Sequence, residues 1–154
     1  MAGILIIAHA PLASALRECA KHVYGDDLAR VAAVDVAPDA DPAETLKQAK
    51  EALSGVISAN GGLILTDIFG ATPSNIATRL TQADELRGRV RLLAGVNLPM
   101  LIRAVGYRGT TIDQLVQTAL AGGGQGLLQI GSTAVQNQNP QLDPNAKDRY
   151  HHQQ

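Results

Sequence analysis

Short apolar runs alternate with stretches of helical periodicity, and this alternation constrains the fold more than any other feature of the chain. Ile4–Ala8, Val31–Val36, Leu63–Thr66 and Val90–Ala94 each read as a strand, the first as one buried on both faces. Leu127–Ile130 reads as a short fifth. Between the strands, apolar residues recur at helical spacing. Leu12, Leu16, Cys19 or Ala20, and Val23 mark the first helix, closed by Gly25. Leu46, Ala49, Leu53 and Val56 mark the second, and Ile76 and Leu80 a short third that ends near Gln82. Pro99 suits the opening turn of a fourth, continued by Met100 to Val105. Thr110 or Thr111 is placed to cap the last helix, whose stripe is Ile112, Leu115, Val116, Ala119 and Leu120. Gly122–Gly124 then breaks the pattern. Such alternation calls for an α/β fold, a doubly wound and mostly parallel sheet with helices on both faces.

At 154 residues the chain suits one compact domain. We place the domain at residues 1–132 and a polar tail at 133–154, where Asn and Gln dominate and disorder is expected. His151 and His152 then belong to a solvated tail rather than to a metal site. A net charge of −1 and the absence of Trp remove both the basic footprint and the stacking platforms of nucleic-acid binders. The single cysteine, Cys19, excludes an internal disulfide and reads as part of the first helix's apolar face. Met1–Ile7 lacks the basic flank of a signal peptide, and no run approaches the length of a membrane span. A soluble, cytoplasmic protein without direct membrane insertion is expected.

In open α/β sheets, ligands gather beyond the carboxyl ends of the strands, where the strand order reverses. His9, Asp67 and Asn97 follow the first, third and fourth strands. If strands one and three are neighbours, about 5 Å apart, His9 and Asp67 can touch. A carboxylate on one ring nitrogen fixes the imidazole tautomer and leaves the other nitrogen nucleophilic. Gly70-Ala71-Thr72-Pro73 leads directly into a helix, offering free backbone N–H groups and the Thr72 hydroxyl to an anion. Each residue alone also fits a bland role: a structural His, an Asp that caps a turn, an Asn97 that is only an N-cap. His22 reads as surface. No metal ligand set and no cofactor motif is present.

At these residues the chain resembles a known family. The segment Gly62 to Asn75, containing Asp67-Ile-Phe-Gly-Ala-Thr-Pro73, and the segment Gly95-Val-Asn-Leu-Pro-Met100 are similar to the mannose-family enzyme IIA (EIIA) domain of the bacterial sugar phosphotransferase system (PTS). Ile4-Leu-Ile-Ile-Ala-His9 resembles its first strand and active histidine, and the likeness spans about Ala2 to Ile130. The resemblance implies that His9 accepts a phosphoryl group on Nε2 from the phosphocarrier protein HPr and passes it to an enzyme IIB (EIIB) partner. It implies that Asp67 orients the ring, that Thr72 contacts the phosphate with Gly70 and Ala71, and that Asn97 supports the site. It further implies a homodimer in which the last strand is exchanged and added antiparallel, with Gly122–Gly124 as the hinge. Ala8 and Ala10 depart from the family, which usually has Ser or Thr before the histidine and Gly after it, so one hydroxyl contact is lost.

Two other readings fit parts of the pattern. The phosphotransfer subunit of dihydroxyacetone kinase shares the fold and the histidine position, but the two motif blocks favour the sugar system. A non-catalytic flavodoxin-like ligand-binding module fits the fold alone. Against it, the turn Ala8-His9-Ala10-Pro11 has none of the glycines that let a backbone approach a pyrophosphate.

Overall fold

The computed structural model describes residues 1–131, so the tail assigned to 133–154 lies outside the described residues. The strands are β1 (Gly3–His9), β2 (Val31–Val36), β3 (Gly62–Thr66) and β4 (Val90–Ala94). The helices are α1 (Leu12–Tyr24), α2 (Pro42–Val56), α3 (Thr72–Gln82), α4 (Leu98–Gly106) and α5 (Ile112–Gln125). The sheet order is β2-β1-β3-β4 and every pairing is parallel, as the strand–helix alternation requires. The order reverses between β1 and β3, so their carboxyl ends form the crevice of a doubly wound fold.

Alternation along the strands divides the core. Ile4, Ile6, Ala8, Leu63 and Leu65 pack against α1, α4 and α5, while Leu5, Ile7 and Ile64 pack against α2 and α3. Ile4 to Ile7 and Leu63 to Leu65 are fully buried, and each such side chain stabilises the fold by about 1.5–3 kcal/mol. Gly3 is required where β1 passes α2, because a Cβ there would collide with the backbone of Val56 and Ile57.

Three expectations need correction. On α1 the buried stripe is Ala13, Leu16 and Ala20, and Cys19 is exposed. Leu16 and Ala20 are buried as the periodicity predicts, while Ala13 is buried in place of its neighbour Leu12, and Leu12 and Val23 are exposed. The glycines at 122–124 do not end α5, which continues to Gln125. Packing requires two of them, since a Cβ on Gly122 would run into Arg103 and one on Gly123 into Met100, whereas one on Gly124 would meet nothing within 4 Å. Finally, Leu127–Ile130 forms no strand and joins no sheet among the described residues; the Leu127 N–H closes back on the Gly124 carbonyl at 3.2 Å, and the apolar side chains are exposed.

Candidate functional site

The parallel register sets His9 at the carboxyl end of β1, with Ile7 opposite Thr66 on β3. One residue further, Asp67 leaves the sheet toward His9. His9 Nδ1 lies 2.7 Å from Asp67 Oδ2, and the His9 backbone N–H donates to the same oxygen at 3.1 Å. The other oxygen, Oδ1, accepts the Ile68 N–H at 2.9 Å. The Asp67 carbonyl accepts the Gly95 N–H, and the Thr66 carbonyl accepts that of Val96, so the loop after β4 holds the loop after β3.

Burial of the Asp67 carboxyl works against its ionisation, but the His9 ring, the His9 backbone N–H and the Ile68 N–H together outweigh it. Its pKa lies below the ordinary carboxylate value. An ionised carboxylate can only accept, so Nδ1 carries the ring proton and the neutral imidazole keeps its lone pair on Nε2. The Asp67 side chain is 9% exposed and that of His9 46%. The pair thus joins a sheltered orienting group to a ring that a partner can reach.

The helix N-termini at this rim differ in what occupies them. Asp41 caps α2 by accepting the Glu44 N–H. Asn97 caps α4 by accepting the Met100 N–H at 2.9 Å. On α1, Asp35 from β2 accepts the Ser14 N–H at 3.1 Å and the Ser14 hydroxyl at 2.5 Å. The first turn of α3 has no side-chain cap, and its Thr72 is exposed. Gly70 holds φ at 84°, a left-handed conformation that glycine adopts without strain, and this turns the chain into the helix. Of these four ends, α3 alone keeps its first N–H groups free of a carboxylate or amide, so an anion at the rim is best received there.

The structure therefore brings together His9 and Asp67, with Gly70, Ala71 and Thr72 on the neighbouring turn. The Asn97 side chain is engaged elsewhere than with the ring: its amide donates to the Gly123 carbonyl at 3.1 Å, tying the start of α4 to the end of α5. His22 is exposed on α1, with Nδ1 2.9 Å from the Glu18 carbonyl. The Ser14–Asp35 pair escaped sequence reasoning, although a lone carboxylate inside the apolar run Val31–Val36 is the signal that could have exposed it. Among the described residues, no group of three or more His, Cys, Asp or Glu side chains could hold a metal ion. None of the described helices is long and apolar enough to cross a membrane.

Residues 3–120 match the family model EIIA-man, described as PTS system fructose IIA component. The chain is 27% identical over 140 residues to the PTS system mannose-specific EIIAB component of Escherichia coli strain K12, covering 90% of this chain and 42% of that protein. It thus spans about two-fifths of the length of that relative. It is 29% identical over 109 residues to the PTS system fructose-specific EIIA component of Bacillus subtilis, covering 70% of this chain and 71% of that one. Among solved structures, phosphotransferase system component EIIA from Streptococcus agalactiae superposes with a TM-score of 0.75 at 22% identity. That match covers 84% of this chain and 97% of the other, and it speaks for the fold.

Proposed function

Because the chain belongs to the EIIA-man family of phosphotransferase-system IIA components, we propose that it is a phosphoryl carrier whose acceptor atom is His9 Nε2. The donor in this reading is phosphorylated HPr and the acceptor an EIIB protein, with the protein working in the cytoplasm. The observation that carries it is the His9–Asp67 contact at 2.7 Å, which pins the proton on Nδ1 and leaves Nε2 open. Nε2 attacks phosphorus in line, and the P–N bond to the donor imidazole breaks as the bond to His9 forms. The donor ring leaves neutral, so no proton need be exchanged. Asp67 stabilises the imidazolium character of phosphorylated His9, while the N–H groups of Gly70 and Thr72 and the Thr72 hydroxyl receive phosphoryl oxygens, and the Ala71 N–H, which donates to the Ile68 carbonyl at 3.4 Å, holds the turn in shape. Asn97 holds the loop that supports Asp67 from behind.

Incubation with phosphorylated HPr, followed by mass spectrometry, tests this reading. One acid-labile phosphoryl group is expected on His9 in the wild type, and none on a folded His9→Ala protein. Label retained by His9→Ala, for instance on His22, would overturn the assignment.

A further inference from the structure

Thr72, Asn75 and Arg79 follow one another at helical spacing, so they lie along one face of α3. With Ile76, and with Pro42 from the start of α2, they line a cleft of about 200 Å³. A helical side chain leans toward the N-terminus of its own helix, so the Arg79 guanidinium reaches back toward Asn75 and Thr72.

The polar groups of this cleft are short of partners. The described arginines other than Arg79 and Arg103 each donate to a carbonyl or a carboxylate. Arg79 and the Thr72 hydroxyl have no hydrogen bond or ion pair among the described residues, and both residues are exposed. The Asn75 amide reaches only the Gly70 carbonyl, at 3.5 Å, beyond the usual range of a hydrogen bond. Guanidinium offers donors alone and keeps its charge, so with the amide and the hydroxyl it suits an anion. The facing carboxylate of Asp41 is already engaged with the Glu44 N–H at 2.9 Å. Pro42 and the buried Ile76 supply an apolar wall. At about 30 Å³ per water, the cleft has room for about six or seven waters, more than a bare phosphate fills. The hollow between α1 and α2 beside β2 offers no such set. Its Arg17 already donates to the Val31 carbonyl at 2.8 Å and pairs with Glu18.

We infer that the cleft between α2 and α3 is an effector site for a small organic phosphate. Arg79 and Asn75 hold the phosphate, and a short hydroxylated carbon chain lies along Ile76 and Pro42 toward Thr72. Binding needs nothing from His9, but its consequence rests on the carrier reading. Thr72 borders both the cleft and the turn that receives the phosphoryl group. An occupied cleft takes the Thr72 hydroxyl and adds negative charge beside that turn, so phosphoryl acceptance slows.

NMR titration of the full chain with glycerol 3-phosphate, glycerol and inorganic phosphate tests the site. Glycerol 3-phosphate should bind saturably, about 10-fold more tightly than inorganic phosphate, and glycerol should not bind. Arg79→Gln should weaken binding by about 10- to 100-fold. Arg103→Gln, at the other unpaired arginine, should bind as wild type. Saturating glycerol 3-phosphate should slow labelling of wild type by phosphorylated HPr about 10-fold. The Arg79→Gln protein should label at the wild-type rate with or without that ligand. Absence of saturable binding would overturn the inference, as would binding unchanged in Arg79→Gln or equal affinity for inorganic phosphate. Binding that leaves labelling at its full rate would overturn the effector role. Slow labelling of Arg79→Gln without ligand would assign Arg79 to the phosphoryl site and likewise overturn it. Binding that stands while phosphorylated HPr labels neither protein would overturn the carrier reading and leave the cleft as a ligand site.

Discussion

Asp67 receives N–H donors on both oxygens, two from His9 and one from Ile68, so its replacement acts on the ring before it acts on the fold. Asp67→Asn keeps one acceptor oxygen but loses the charge, and its amide group can face Nδ1 and favour the wrong tautomer. Phosphoryl acceptance should slow by about 10- to 100-fold rather than vanish, which rapid-quench kinetics with phosphorylated HPr would read. A mutant as fast as wild type would remove Asp67 from the mechanism. The depressed pKa also sets a sign. Between the ordinary value of 3.8 and the lower folded value, the unfolded chain binds this proton while the folded chain does not. The carboxylate's stabilising contribution is therefore complete above the ordinary value and is lost as pH falls through the folded one. Urea midpoints measured from neutral pH down to about pH 2.5 should fall less steeply for Asp67→Asn than for wild type in the acid window.

At the scale of elements, the three consecutive glycines of α5 separate propensity from packing. Gly122 is buried against Arg103 and Pro99, whereas a Cβ on Gly124 would meet nothing within 4 Å. Gly122→Ala should therefore destabilise the protein by about 1–3 kcal/mol through overpacking. Gly124→Ala should be neutral or stabilise it by up to about 1 kcal/mol, because alanine is the better helix former. Thermal unfolding of the two variants checks this, and equal effects would mean that α4 and α5 do not meet as described. The same glycines show where the sequence was legible and where it was not. The first four strand positions were readable because short aliphatic runs between helical stretches have few alternatives, and the His9–Asp67 contact could be expected only on the condition that strands one and three are neighbours, which the sheet order meets. The extent of α5 was not readable. Glycine lowers intrinsic helix propensity, but here close contact with Pro99, Met100 and Arg103 overrides that preference. The stripe of α1 was legible only in part: Leu16 and Ala20 are buried as expected, but Ala13 is buried while Leu12 is exposed, because a larger residue next to an alanine in sequence looks more like core. The unoccupied N-terminus of α3 could be suspected from Gly70 to Pro73, but its contrast with α1 needed Asp35 placed in space.

For the molecule as a whole, the unresolved balance lies at the open edge of β4 and in the segment beyond α5. Leu127, Leu128 and Ile130 are 76%, 75% and 92% exposed, an expensive arrangement for a segment next to a sheet edge that still has backbone groups to pair. The end of α5 packs on the start of α4 through the Asn97–Gly123 contact, so the chain leaves the helix near the carboxyl end of β4. A strand running back from there would lie antiparallel to β4. In the described chain the segment does not turn onto its own sheet, and a second copy offers the same edge. We therefore expect a homodimer in which each protomer lends Leu127–Ile130 to the β4 edge of its partner. Because α5 extends to Gln125, the informative truncations end after Gly131 and after Gly126, neither of which cuts the helix. The chain ending at Gly131 should remain a dimer and still accept phosphate. The chain ending at Gly126 should sediment as a monomer or aggregate through its bare edge, with its helix content otherwise unchanged. A stable dimer of the shorter chain in sedimentation equilibrium would show that the subunits are held together elsewhere, and the half-buried outer residues of β4, Arg91 to Ala94, would then be the next surface to test.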